Sequence, residues 1–355
     1  MTTLIFTYRN RDIALVKNCL ESLRCQSSQA FKVVLVNYGS NTELTQGIQE
    51  LVAQYDFIAV IHCKTDGELW CKSRAINIAL KQCDTDTVFV GDVDMIFHPD
   101  FIERLGHFKK EHVATYFQVG FLSQTESAQQ KPFEAYTINF TSNKDATGMT
   151  LFNTQDLLEI NGYDEYYKGW GSEDTDVHIR LRHAGKTVNF YDDAVLMLHQ
   201  WHPKHYRTQA SLEPFHSQLE VINAAYLKFT EQTHKIKANV MNDFGRYKAS
   251  DYEALNQPDT EFKITNQTRQ IKGWINSMLM GPQARVLKLI VTQDPDYRSI
   301  KQGLKKLLRK KTMAYLSMQA INDLLLETVA IQQNVQAYHY QFDQARQIIT
   351  LTVKL

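Results

Sequence analysis

The tightest constraint on the fold is an alternation repeated through roughly the first hundred residues, in which short apolar runs are followed by amphipathic stretches. Leu4-Ile5-Phe6-Thr7, Phe31 to Val36, Phe57 to Ile61 and Val88 to Val90 read as strands. Helical periodicity separates them over Ile13 to Leu23, residues 44 to 55 and Leu69 to Leu80. Strand-then-helix units in this order predict an α/β domain with a mostly parallel central sheet. Open sheets of this kind keep their ligands at the carboxyl ends of the strands, so the residues just after each apolar run are the first to inspect for chemistry. There is neither a GxGxxG turn nor a GxxxxGK[ST] loop, which removes the dinucleotide fingerprint and the ATPase phosphate loop.

The fourth run ends in Asp92-Val93-Asp94. If the chain stays extended, both carboxylates point the same way, and a cation or a hydrogen-bond donor must relieve their repulsion. A hard divalent ion fits such oxygen ligands, although short acidic turns are also common on ordinary surfaces. His199 follows the apolar Val195-Leu196-Met197-Leu198 and could add an imidazole, giving the mixed nitrogen and oxygen ligation that suits Mn²⁺. A satisfied histidine at a strand end is the competing reading, and His202, three residues on, is a weaker candidate. Arg9 and Arg11, after the first run, suit phosphate oxygens or simply a solvated turn. Asn37 offers an amide that can match a base edge. Arg74 and Asn77 share one face of a helix.

A second informative stretch runs from Asn161 to Asp176. Ser172 is a natural helix N-cap, and Glu173, Asp174 and Asp176 crowd the first turn, where the helix terminus favours anions. Capping does not account for Trp170 between Gly169 and Gly171. Glycines on both sides allow a tight turn that lays the indole ring against a flat, partly apolar partner such as a sugar face.

The 39 basic and 39 acidic residues cancel, so nothing draws the whole chain to nucleic acid or to an anionic surface. All five cysteines lie in the first quarter without a close CxxC pair, as expected of reduced thiols. No apolar run is long enough to span a membrane and no signal-peptide pattern opens the chain, so a cytoplasmic location is expected. After about residue 210 helical periodicity dominates, which divides the chain into a catalytic domain over 1–208 and a mainly helical region over 209–355. Arg285 to Val291 fits a strand or a helix equally. Lys301 to Lys311 carries six cations and no acid, with Leu304, Leu307 and Leu308 on one side. Such a segment could rest on an anionic bilayer, as peripheral association with the inner membrane surface, dock a partner, or pack as a solvated helix on the catalytic domain.

Three blocks in this order, Thr7-Tyr8-Arg9-Asn10-Arg11, Asp92-Val93-Asp94 and Gly169-Trp170-Gly171-Ser172-Glu173-Asp174, resemble those of a family 2 glycosyltransferase of the GT-A fold. The second-half motif is similar to that of the β-1,4-galactosyltransferases and of the GalNAc-transferase domains of bacterial chondroitin polymerases. The likeness covers about residues 1 to 205. It implies a UDP-sugar donor, UDP-Gal or UDP-GalNAc first, Mn²⁺ or Mg²⁺ as cofactor, and a glycan or lipid-linked glycan acceptor. It also implies that Asp94 and His199 ligate the metal, that Asp92 approaches the ribose, and that Thr7, Arg9, Arg11, Asn37 and Arg74 line the nucleotide site. Trp170 and Tyr163 would contact the sugars, and Asp174, supported by Glu173, would take the proton of the acceptor hydroxyl. Two departures are Asn37, where many members have aspartate, and Thr175, which interrupts the acidic run of the galactosyltransferases. One base opposite a leaving group implies inversion at C1. The alternatives are a sugar nucleotidyltransferase, which would usually show a glycine-rich basic loop after the first strand, and a non-catalytic carbohydrate-binding protein on a transferase fold.

Overall fold

The computed structural model describes residues 1–108, 112–203, 213–279, 285–331 and 335–355. It divides into two compact units, one formed by residues 1–63, 71–211 and 220–247 and the other by 64–70, 212–219 and 248–355. The expected boundary at 208/209 lies outside the described residues.

The first unit opens with β1 (Thr2–Tyr8), α1 (Ile13–Arg24), β2 (Phe31–Tyr38), α2 (Thr42–Val52), β3 (Ile58–Cys63), α3 (Lys72–Leu80) and β4 (Thr87–Asp92). Then come β5 (Met95–Phe97), α4 (Phe101–Phe108), β6 (Ala114–Phe117), β7 (Gly120–Leu122), α5 (Gln124–Ser127) and β8 (Ile138–Thr141). It continues through β9 (Thr150–Asn153), α6 (Thr154–Glu159), α7 (Glu173–His183), β10 (Val188–Tyr191), β11 (Met197–His199) and α8 (Leu219–Gln232), the last beginning in the second unit. A seven-stranded sheet in the order β10-β6-β9-β4-β1-β2-β3 forms the centre. Its pairings are parallel except those of β9, which runs antiparallel to β4 and β6.

The reason is legible in β1, where all seven residues are buried: a strand covered on both faces must be apolar or internally satisfied throughout. Thr2 and Thr3 meet this by hydroxyl bonds to Thr87 at 3.0 Å and Thr85 at 2.7 Å. Phe6, Phe89, Phe97, Phe101 and Phe117 fill the core beside the sheet. Register then aligns the functional ends, with Thr7 beside Val36 on one flank and Asp92 on the other.

A second sheet, β5-β11-β7-β8, takes its last two strands from the stretch 118–146. β11 lies antiparallel to β5 with His199 opposite Met95, and the Gln200 N–H donates to the Asp94 carbonyl at 2.9 Å. That pairing carries the histidine next to the aspartate.

The second unit adds a four-stranded sheet to the helices expected of this region. Its elements are α9 (Ala249–Ala254), β12 (Thr260–Thr265), α10 (Thr268–Trp274), β13 (Val286–Thr292), α11 (Ile300–Leu307), α12 (Met318–Ile331), β14 (Ala337–Asp343) and β15 (Ile348–Lys354). The strands form one sheet, β12-β13-β15-β14, with its own core of Leu287, Leu289, Leu325, Tyr340 and Leu351. Arg285 to Val291 resolves as the strand β13, inside this sheet. All five cysteines are free thiols, as expected.

Candidate active site

Two clusters of charged side chains occupy the first unit, where the carboxyl ends of its parallel strands meet α3, α7 and β11.

The first cluster centres on Asp94. Alternation along an extended strand would aim Asp92 and Asp94 the same way, but β4 ends at Asp92 and residues 93–94 form a turn, so the two carboxylates have different partners. Asp94 is buried, with Oδ2 at 3.2 Å from His202 Nε2 and 3.5 Å from Arg11 Nε, and Oδ1 at 3.7 Å from His199 Nε2. The Arg11 Nη1 donates to His202 Nδ1 at 2.9 Å. Burial alone would push the Asp94 carboxyl up, but the His202 hydrogen bond and the positive fields of His199 and Arg11 outweigh it and hold it at about 2. Burial pushes the His199 imidazole down, towards the neutral form that binds metals.

Asp94, His199 and His202 each offer one ligand atom, all within 4.8 Å of one another. Asp94 Oδ1 is buried and makes no hydrogen bond. A buried carboxylate oxygen without a hydrogen bond, beside two imidazoles, is a donor set that fits a divalent cation of intermediate hardness. His202 thus joins the two expected ligands. Its signal was the spacing His199-x-x-His202 immediately after a strand.

The second cluster was not anticipated as a unit, because its hub is Lys72. This lysine begins α3, and its Nζ lies 3.0 Å from Asp174 Oδ2, 3.3 Å from Asp92 Oδ1 and 3.9 Å from Glu173 Oε1. Burial works against the Lys72 ammonium, and Asp174, Asp92 and Glu173 more than offset it, holding it well above the usual lysine range. Burial dominates at Asp174 too and, with the repulsion of Glu173 and Asp92, overcomes the pull of Lys72 and raises the carboxyl to about 8. Asp174 Oδ1 is buried and accepts no hydrogen bond, so an acceptor is left without a partner beside a fixed cation.

Glu173 and Asp174 are held by the loop that precedes α7. Gly169 and Gly171 take φ of 72° and 98°, and Ser172 follows at 76°. Ser172 is the N-cap residue, yet its side chain makes no capping bond, because the left-handed backbone turns the hydroxyl away; its carbonyl accepts from Asp176 N at 2.9 Å instead. Asp176 is structural: its Oδ2 accepts from Arg180 Nε at 2.6 Å, and Tyr167 and Thr230 donate to its Oδ1. Arg180, fully buried, also donates to the carbonyls of Ile160 and Gly162, which fastens α7 to the chain before the loop. Asn77 fastens the next residues, exchanging hydrogen bonds with the Tyr163 backbone and donating to Glu165. Gly162 is required there, since φ is +64° and an added Cβ would come within 2.3 Å of Asn77 Oδ1.

The remaining expected residues fall elsewhere. Trp170 stands 56% exposed in its loop, available as a platform. Tyr163 is fully buried with its ring edge-on to Phe152, so the expected sugar contact is corrected: no ring face is open to a sugar. Its hydroxyl belongs to the electrostatic surroundings of Asp174 and Lys72. Asn37 is 2% exposed and its amide serves Thr45, His62 and the Ser40 N–H, so it stiffens the turn after β2 and presents no open base edge. Arg74 donates to the Arg246 carbonyl at 2.8 Å and lies 3.4 Å from the Tyr38 hydroxyl, so part of its guanidinium is engaged by the protein's own groups. Arg9 is half-buried after β1, and Thr7 lies beside Asp92 in register.

The mostly parallel sheet carries an Asp-His-His cluster and a buried carboxylate-lysine cluster at its strand ends, and its fold is of the GT-A type. Residues 3–158 match the family described as Glycosyl transferase family 2, and residues 130–204 match the N-terminal domain of galactosyltransferase. These two matches support a family 2 glycosyltransferase. Chondroitin sulfate synthase 3 of Mus musculus is 26% identical over 166 residues, 44% of this chain and 19% of that protein. The Homo sapiens protein of the same name is 28% identical over 143 residues, 38% of this chain and 16% of its own length. The chain therefore aligns with less than a fifth of these relatives. Among solved structures, GalNAc-T7 with UDP, GalNAc and Mn²⁺ superposes with a TM-score of 0.50 at 12% identity, covering 71% of this chain and 54% of that one, a likeness of fold.

Proposed function

We propose that this chain is an inverting, metal-dependent glycosyltransferase that moves galactose or N-acetylgalactosamine from its UDP derivative to a hydroxyl of a glycan acceptor. The observation that carries this reading is the buried Oδ1 of Asp174, an acceptor without a hydrogen-bond partner on a carboxylate held by a fixed cation. The match of residues 130–204 to a galactosyltransferase domain supports the choice of donor, since that stretch contains Trp170, Asp174, His199 and His202.

Asp174 accepts the proton of the acceptor hydroxyl as that oxygen forms its bond to C1 and the bond from C1 to the diphosphate oxygen breaks. Its raised basicity suits this task near neutral pH. Lys72 orients the carboxylate through Oδ2, leaving Oδ1 for the substrate. Trp170 offers an exposed ring for an apolar sugar face. With a single base and no second carboxylate assigned to attack C1, displacement is direct and the anomeric centre inverts. Asp94, His199 and His202 would hold a divalent cation, Mn²⁺ before Mg²⁺ on their mixed donors; when bound, it neutralises charge on the departing diphosphate.

The test is UDP release from a panel of UDP-sugars with a mixed oligosaccharide acceptor pool, in Mn²⁺ or in EDTA, followed by the configuration of the product. Turnover of one galactose-type donor, dependent on metal and acceptor and with inversion, supports the proposal. Consumption of sugar-1-phosphate and nucleoside triphosphate instead, or retention at C1, overturns it.

A further inference from the structure

The helix α11 presents four large apolar side chains to solvent. Ile300 is 83% exposed, Leu304 54%, Leu307 79% and Leu308, at the helix cap, 61%. At about 100° per residue these positions fall within an arc of about 100°, a continuous stripe. The helix is a formed element: Ser299 caps it by accepting from Gln302 N. None of its residues is buried, so packing inside the second unit does not explain the stripe.

The charge carried by residues 301–311 is of one sign. Lys301, Lys305, Lys306, Arg309, Lys310 and Lys311 lie in a segment without an acid, in a chain whose overall formal charge is zero. Lys301 pairs with Asp296 at 3.0 Å. Lysines flanking an apolar stripe can extend toward headgroups while the leucines enter the acyl boundary. A second copy of the chain would bring the same cations against one another, which disfavours self-association through this face. No helix among the described residues is long and apolar enough to cross a membrane, so the attachment is to a surface.

We propose that α11 and the basic residues after it form a peripheral docking surface for an anionic phospholipid bilayer. Binding is reversible and salt-sensitive, because four apolar side chains on one short helix make a weak anchor without the charges.

The full chain is sedimented with vesicles of phosphatidylcholine alone or with about 30% phosphatidylglycerol, at about 0.1 M and about 0.5 M salt. Leu304→Ser with Leu307→Ser, and Lys305→Glu with Lys306→Glu and Lys310→Glu, are compared after thermal melting confirms that they fold. The wild type is expected to partition onto the anionic vesicles and leave them at high salt, with each variant weakened about tenfold or more. Equal binding to both vesicle types, or variants that bind like the wild type, overturns the proposal. So does a lipid-free dimer in sedimentation velocity that the leucine variant dissociates, or binding that appears only with an added acidic protein.

Discussion

Asp174→Asn should abolish transfer and stabilise the protein, with a gain set by pH. The carboxyl is raised from its ordinary 3.8 to about 8, which at 1.36 kcal/mol per pH unit corresponds to an upper limit of about 6 kcal/mol. Asparagine removes the buried charge but takes one anion from Lys72, which keeps Asp92 at 3.3 Å and Glu173 at 3.9 Å. A net gain of about 2 kcal/mol is expected at about pH 8.5. The sign follows from proton counts: between 3.8 and about 8 the folded carboxyl holds more protons than the unfolded one, so wild-type stability falls as pH rises through that window and levels off above it. The variant lacks this decline, and the difference should shrink towards zero near pH 4. Urea midpoints read by circular dichroism at about pH 4.5, 6.5 and 8.5 measure it, alongside UDP release, expected to drop about a hundredfold or more. A variant less stable than wild type at the highest pH, or a gain that ignores pH, would refute the reasoning.

Lys72→Met should leave Asp174 without its nearby cation, lowering kcat about a hundredfold and moving the alkaline rise of the pH-rate profile upward; an unmoved profile would deny the coupling. Trp170→Ala should raise the acceptor KM about tenfold while changing stability by no more than about 0.5 kcal/mol, because the ring is 56% exposed. Asp176→Ala should cost about 3–5 kcal/mol by leaving Arg180 charged and unpaired in the core, read as a lower thermal midpoint before any assay of activity.

Much of the first unit was legible because strands buried on both faces are largely apolar, as the central residues of β1, β2 and β4 are. Asp94, His199, Glu173 and Asp174 were legible because each sits where a strand or loop ends beside a helix or turn. Lys72 was not, since a lysine at the start of a helix looks like any solvated cation until three carboxylates from distant segments close on it. Asn37 was misplaced because polarity at a strand end does not reveal whether a side chain faces ligand or serves the protein's own turn. The sheet of the second unit escaped for a different reason. β14 and β15 alternate apolar with polar residues, a period-2 strand signal present in the sequence, whereas the antiparallel pairing of β13 with β15, more than fifty residues on, leaves no local trace.

The most direct test of the two-cluster assignment is calorimetric titration of Mn²⁺ with UDP into wild type, Asp94→Ala and Asp174→Asn. Metal-dependent UDP binding that falls at least about tenfold in Asp94→Ala but persists in Asp174→Asn, with transfer lost in both, is the expected result. Undiminished binding in Asp94→Ala, or its loss in Asp174→Asn, would contradict the separation of a cation site from a catalytic base.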